Sequence, residues 1–321
     1  MPLSLTGIVS CVLLALSLVG CGGDPVAPLR IGTIVWPGYE PLYLAQELGY
    51  LDAKSVRLVE YPSASEVTRA FRNQAIEATA LTFDEVLLLA QDGFKPRVVL
   101  LMDISHGGDA ILGRPDLRTV KDLAGRRVAV DTETVGAYVL IRALMLNGMK
   151  SSDINIVHVR ADELKVAFKE GRVDAVVNFE PVRSHLLAGG ASLLFDSSQI
   201  PGEIMDVLTV DAVYLDQNVA VVQEVLRGWF RATEYIKNDP QYASAIMARR
   251  EQVTGAQFLE SLKGLKIPTR EENLKLLSGQ HPPLASLGRR VMQVMLDQRL
   301  LKIASDVDVI IAPSPLEDLS P

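Results

Sequence analysis

The chain has 321 residues and a formal net charge of −7, from 32 Lys and Arg against 39 Asp and Glu. Such a mixed, mildly acidic balance leaves no basic footprint for nucleic acid or for an anionic membrane surface. Two cysteines, Cys11 and Cys21, give no disulfide framework and no cysteine-based metal site, and no cofactor is expected.

Residues 1–20 contain no Lys, Arg, Asp or Glu, so no basic stretch precedes their apolar core, Ile8 to Val19. At about twelve residues that core is short for a bilayer span of about twenty, and it fits the h-region of a secretory signal peptide. The run ends in L-V-G-C, Leu18 to Cys21, which resembles a lipobox, the bacterial signal for acylating a cysteine and cutting just before it. Residues 1–20 are therefore read as a lipoprotein signal peptide and Cys21 as the lipidation site. Gly- and Pro-rich residues 21–28 are read as a flexible tether. The reading places the protein in the periplasm or otherwise outside the cytoplasm, as a monomer held to a membrane through its lipid anchor only.

Downstream, apolar runs alternate with segments of apolar i, i+3, i+4 spacing. Strands are predicted at 30–36, 56–61, 78–82, 97–102, 127–131, 154–159, 174–178 and 192–195. Helices are predicted at 41–51, 65–73, 84–91, 136–147 and 162–170. This alternation indicates βαβ units and parallel sheets. The pattern runs twice, so residues 29–112 are read as lobe 1 and 113–205 as lobe 2. About 300 mature residues also exceed what one core usually serves. Two short apolar runs, 109–116 and 206–212, are placed as crossings between the lobes. From Asp216 the pattern is helical, and residues 206–321 are read as a hinge return plus helices packing on lobe 1. Val222, Val225, Leu226, Trp229 and Ile236 form one apolar stripe on the first of these, with Trp229 read as core.

Ligands of open α/β sheets sit beyond the carboxyl ends of the strands, so the loops there supply the candidates. Trp36 and Tyr39 lie in W-P-G-Y-E, either to stack on a ligand or to pack the lobe. Ser63 and Ser65 stand where N-caps are favoured, and a helix start in a cleft also offers N–H groups to a ligand. Thr82 and Asp84 carry the same two readings. Ser105 and Asp109 flank the crossing, where a carboxylate could hold hinge backbone or touch ligand. Glu133, Thr134 and Glu180 come from loops of lobe 2. His158 and His185 have no metal-like partners and are read as structural.

The order I-G-T-I-V-W-P-G-Y-E-P-L-Y-L-A-Q-E-L-G-Y-L-D, then V-K-D-L-A-G-R-R-V-A-V-D, then A-F-K-E-G-R-V-D-A-V-V-N-F-E-P resembles periplasmic binding proteins for nitrate, taurine, aliphatic sulfonates and thiamine pyrimidine precursors. The resemblance runs from about residue 29 to 210. It implies a type II periplasmic-binding fold, two α/β lobes joined by a two-strand hinge. It also implies a small-molecule ligand and, as partners, an ABC permease and its ATPase. A ligand-sensing lipoprotein coupled to a membrane receptor would share these features. No G-x-S-x-G, H-E-x-x-H or Walker loop points to catalysis. The candidate loops hold Asp84, Asp109, Glu133 and Glu180, with Arg183 the nearest cation. A desolvated anion among carboxylates is costly, so an amine-bearing or pyrimidine-like ligand is expected.

Overall fold

The computed structural model of the chain describes residues 27–319. The residues read as a signal peptide, Cys21 and most of those read as a tether lie outside the described residues.

The first lobe is built by β1 (Leu29–Thr33), α1 (Glu40–Glu47), β2 (Val56–Glu60), α2 (Ala64–Arg72), β3 (Ala78–Thr82), α3 (Phe83–Gln91) and β4 (Pro96–Ser105). The second follows with β5 (Asp109–Gly113), β6 (Arg127–Val130), α4 (Val135–Leu146), β7 (Asn155–His158), α5 (Leu164–Lys169), β8 (Ala175–Phe179), α6 (Val182–Ala188) and β9 (Ser192–Asp196). Then β10 (Met205–Asp211) returns to the first sheet. It leads through α7 (Ala212–Gln217) to α8 (Val219–Asn238), α9 (Pro240–Arg250), α10 (Gly255–Leu262) and the short β11 (Leu265–Lys266). The chain ends in α11 (Arg270–Leu277), α12 (Pro283–Asp297), α13 (Val307–Ile310) and α14 (Ser314–Glu317).

The first sheet has the order β11-β4-β10-β3-β1-β2 and the second β7-β6-β8-β5-β9. In each, an antiparallel strand delivered by a crossing sits between strands that run parallel to one another, β10 between β3 and β4 and β5 between β8 and β9, and the short β11 adds a second antiparallel strand at the β4 edge. The sequence reading carries lobe 1 to residue 112, yet Asp109–Gly113 pairs within the second sheet. The chain changes sheets at residues 106–108 because β4 runs on to Ser105.

Local sequence explains these elements. The A-T-A-L-T strand β3 is buried throughout, as a central strand covered on both faces must be. Ser63 caps α2 by accepting the Glu66 N–H at 3.3 Å, and Asp239 ahead of Pro240 starts α9 by accepting the Tyr242 N–H at 3.1 Å. Four members of the predicted stripe of α8 are buried, with Trp229 fully enclosed, while Ile236 near its end is only partly covered. Gly228 lets α8 approach the end of α1, since a Cβ there would stand 2.5 Å from Leu51 Cδ2. The largest apolar cluster runs through both lobes, joining Phe83 and Val86 of α3 to Val135, Tyr138 and Val139 of α4. The lobes are thus closed on one another.

Candidate functional site

Between the lobes lies a narrow cleft whose free space is about 20 Å3. Lobe 1 contributes Ile34, Trp36 and Tyr39 from beyond β1, Ala64 at the start of α2, and Thr82 and Glu85 at the β3–α3 junction. Lobe 2 contributes Asp109, Thr134, Val135, Ala161 and Phe179, and Asp206 arrives on β10. A side chamber of about 10 Å3 adds Asp131, Gly136 and Asn178.

The aromatic wall is fixed by hydrogen bonds. Trp36 meets the Phe179 ring edge-on at 5.8 Å, and its Nε1–H donates to Asp103 Oδ2 at 3.1 Å. The Tyr39 hydroxyl donates to Asp206 Oδ1 at 2.5 Å. Gly38 makes room for this arrangement: a Cβ there would fall 1.8 Å from Asp103 Oδ2 and 2.5 Å from Trp36 Nε1.

Three carboxyl groups, Glu85, Asp109 and Asp206, line the rest of the cleft among apolar and hydroxyl side chains, and Asp84 and Asp103 are buried beside it. Asp103 and Asp206 face one another across the β4–β10 ladder. Burial raises Asp103 and Asp109 each to about 7. Burial followed by the charge of Asp103 holds Asp206 well above its ordinary range. Burial lifts Asp84 to about 6, and burial with the neighbouring Asp84 lifts Glu85 to about 8. Asp103 Oδ1, Asp109 Oδ2, Asp206 Oδ2 and Thr82 Oγ1 are buried without a partner. Among the described residues, none that lines the cleft is Lys, Arg or His, and no cluster of His, Cys, Asp and Glu has metal-site geometry. Chemically the cleft is a set of buried acceptors beside aromatic rings, suited to a ligand that brings donors.

Of the residues singled out from sequence, Trp36, Tyr39, Thr82, Asp109 and Thr134 line the cleft. Ser63 is buried and pairs with Ser65 at 2.8 Å, so both shape α2 while Ala64 between them meets the space. Asp84 is buried beside the wall without lining it. Ser105 lies behind, accepting the Asp109 N–H at 3.2 Å. Glu133 is exposed: Asp131 Oδ1 accepts its N–H at 3.2 Å, and the tight turn leaves the side chain in solvent. Glu180 is buried but turned to its own helix, accepting from Ser184 N–H at 3.1 Å, Ser184 Oγ at 2.9 Å and Arg183 at 3.0 Å. Sequence reasoning missed Glu85, Asp103, Phe179 and Asp206.

The two crossings are tied together. Ser105 Oγ and Ser197 Oγ are 2.8 Å apart, and Ser197 Oγ also accepts the Gly107 N–H at 2.7 Å. The Gly264 carbonyl accepts the His106 N–H at 2.7 Å and the Gly108 N–H at 3.2 Å, fastening the first crossing to the C-terminal region. On the second crossing, Glu203 accepts from Tyr138 at 2.7 Å and from Arg142 at 2.6 and 2.7 Å, both residues of α4.

An Escherichia coli (strain K12) protein named for binding aliphatic sulfonates is 28% identical over 134 residues, 41% of this chain and 42% of that protein. The match thus spans less than half of that relative's length. The alkanesulfonate-binding protein SsuA from Xanthomonas axonopodis pv. citri, solved with MOPS bound, superposes with a TM-score of 0.74 at 20% identity. The superposition covers 91% of this chain and all of that one. The desulfurization enzyme DSZB superposes with a TM-score of 0.69 at 17% identity, covering 90% of this chain and 98% of that one. The architecture is therefore that of periplasmic binding proteins, a frame that also carries at least one enzyme. With a match over residues 22–250, the chain belongs to the NMT1-like family.

Proposed function

We propose that this chain is the solute-binding component of an ABC importer, and that its cleft captures a small organic ligand bearing an amine or an aminopyrimidine-like donor edge. The observation carrying this reading is the pair of buried, unpartnered carboxyl oxygens that line the cleft on Asp109 and Asp206 beside Trp36, Tyr39 and Phe179, with Asp103 behind them holding Trp36. A cationic or donor-rich group there would satisfy acceptors that are otherwise unpaired, each charge-assisted bond contributing about 1.5–3 kcal/mol. The aromatic rings would hold a flat or apolar body. Catalysis is not part of the proposal, because the cleft offers acceptors without a nucleophile–base pair.

Ligand touching both lobes favours the closed form, and a permease that engages only that form would read occupancy. Cys21 is proposed as the acylated anchor that keeps the capture domain at a membrane outside the cytoplasm. Replacing Cys21 with Ser should release the protein from the membrane fraction; retention there would remove the anchor.

The ligand reading is tested by thermal-shift screening of the protein without its leader against amines, aminopyrimidines, amino acids and sulfonates. A ligand at 100 times its Kd adds about 2.7 kcal/mol. A cation entering this cleft displaces protons, so calorimetry in buffers of different ionisation enthalpy should show proton release and tighter binding as pH rises from about 6 to about 8. Proton uptake, or response to sulfonates alone, overturns it.

A further inference from the structure

Glu85 bridges the two lobes through one carboxyl group. One oxygen accepts the Thr82 N–H at 3.1 Å, a capping bond within lobe 1. The other accepts the Val135 N–H at 3.1 Å, and Val135 is the first residue of α4 in lobe 2. α4 is twelve residues long and begins at the cleft. Its free N–H groups form a positive end, where an anionic ligand group would settle. Two further side chains complete that place. Thr82 is 5% exposed, lines the cleft, and its Oγ1 has no partner. Asn178 is 3% exposed, and its Oδ1 accepts the Phe179 N–H at 2.8 Å, which orients the amide. Its Nδ2 is left unpartnered in the side chamber shared with Thr134 and Gly136 at the start of α4. A donor set fit for an anion is present, and the chain's own carboxyl group stands in it.

We propose that Glu85 is a specificity-determining residue, filling the anion position at the start of α4 so that the cleft rejects sulfonates and other anions. A sulfonate entering would displace the Glu85 carboxyl from both of its N–H partners and leave it buried without them, which costs more than the single bond gained. The inference rests on the reading of this cleft as the ligand site and deepens it, but does not depend on which amine is bound.

The test is binding of ethanesulfonate to wild type, Glu85→Ala and Glu85→Gln, followed by thermal shift and calorimetry. It is run at about pH 5.5, where Asp103, Asp109 and Glu85 are all protonated, so that occupation of the site by the Glu85 carboxyl is read and not charge repulsion. Glu85→Ala should bind ethanesulfonate at least tenfold more tightly than wild type, and Glu85→Gln, which refills the space, should return toward wild type. A folded Glu85→Ala no better than wild type overturns the proposal, as does wild type binding the anion equally well. If Glu85→Ala does not fold, Glu85→Ser replaces it. The wild-type Val135 amide resonance is also followed through an ethanesulfonate titration and should not move; a saturable shift there overturns the proposal. Amine binding by wild type alongside an anion-blind Glu85→Ala sinks the role of Glu85 alone. No solute of either sign shifting any of the proteins sinks the site itself.

Discussion

Asp103 and Asp206 are brought side by side by an antiparallel ladder, and no cation lining the cleft balances them. Asp206→Asn keeps an acceptor for the Tyr39 hydroxyl while removing a carboxyl whose ionisation burial makes costly. Urea denaturation without ligand should show the variant's stability falling less than that of wild type as pH rises. Calorimetry should show its affinity for an amine at least tenfold lower; unchanged affinity would take Asp206 out of the site. Gly38→Ala pushes a methyl group into the Trp36–Asp103 hydrogen bond, and loss of ligand-dependent tryptophan fluorescence change should accompany weakened binding. Trp36, Tyr39, Thr82, Asp109 and Thr134 were legible in the sequence because they sit in or beside loops at strand ends. Asp206 was not, for a geometric reason: it lies near the amino end of a strand that runs against its neighbours, which places it at the same sheet edge as their carboxyl ends. Asp103 was hidden because β4 continues three residues past its predicted end at Met102. Glu133 misled because nothing in T-E-T-V-G-A announces a turn that directs its side chain outward.

At the level of elements, periodicity located the strands and helices to within a few residues, including the short run that becomes β10. What spacing could not convey is which elements the crossings lock. Helix α4 is anchored to the second crossing by the Arg142–Glu203 pair, with Tyr138 as a third member, and all three side chains are largely withdrawn from solvent. Arg142→Met leaves Glu203 with one partner fewer and should cost about 1.5–3 kcal/mol in urea denaturation. Since the pair fastens a lobe-2 helix to hinge backbone, small-angle scattering of the variant should also show a larger radius of gyration without ligand. An unchanged radius would make the pair a stability feature only.

For the molecule as a whole, the raised carboxyl groups set a direction for pH dependence. A carboxyl whose folded pKa exceeds its unfolded one contributes stability below the unfolded value, and that contribution is lost as pH rises through the folded value. Asp84, Asp103, Asp109 and Glu85 spread this loss over a window from about 6 to about 8. Glu251, buried with both oxygens unpartnered and raised by burial to about 9, extends it. Thermal melting of the unliganded protein should therefore drop between about pH 6 and about pH 8, and a saturating amine should shrink that drop. A rising melting temperature across this window would show that the carboxyls are paired with cations in solution.

The return of β10 to the first sheet also governs how the chain can assemble. Lobe 2 closes within one uninterrupted stretch, Asp109 to Asp196, so all five of its strands are available together. Lobe 1 lacks the strand between β3 and β4 until the chain has passed through its partner. Its sheet is split until then, with apolar edges on Leu81 and Leu100 uncovered. The first lobe thus cannot complete its sheet until β10 arrives, whereas the second can form from contiguous chain, so the second lobe is expected to fold first. In pulse-labelled hydrogen exchange, amides of β6 and β8 should gain protection before those of β1 and β3.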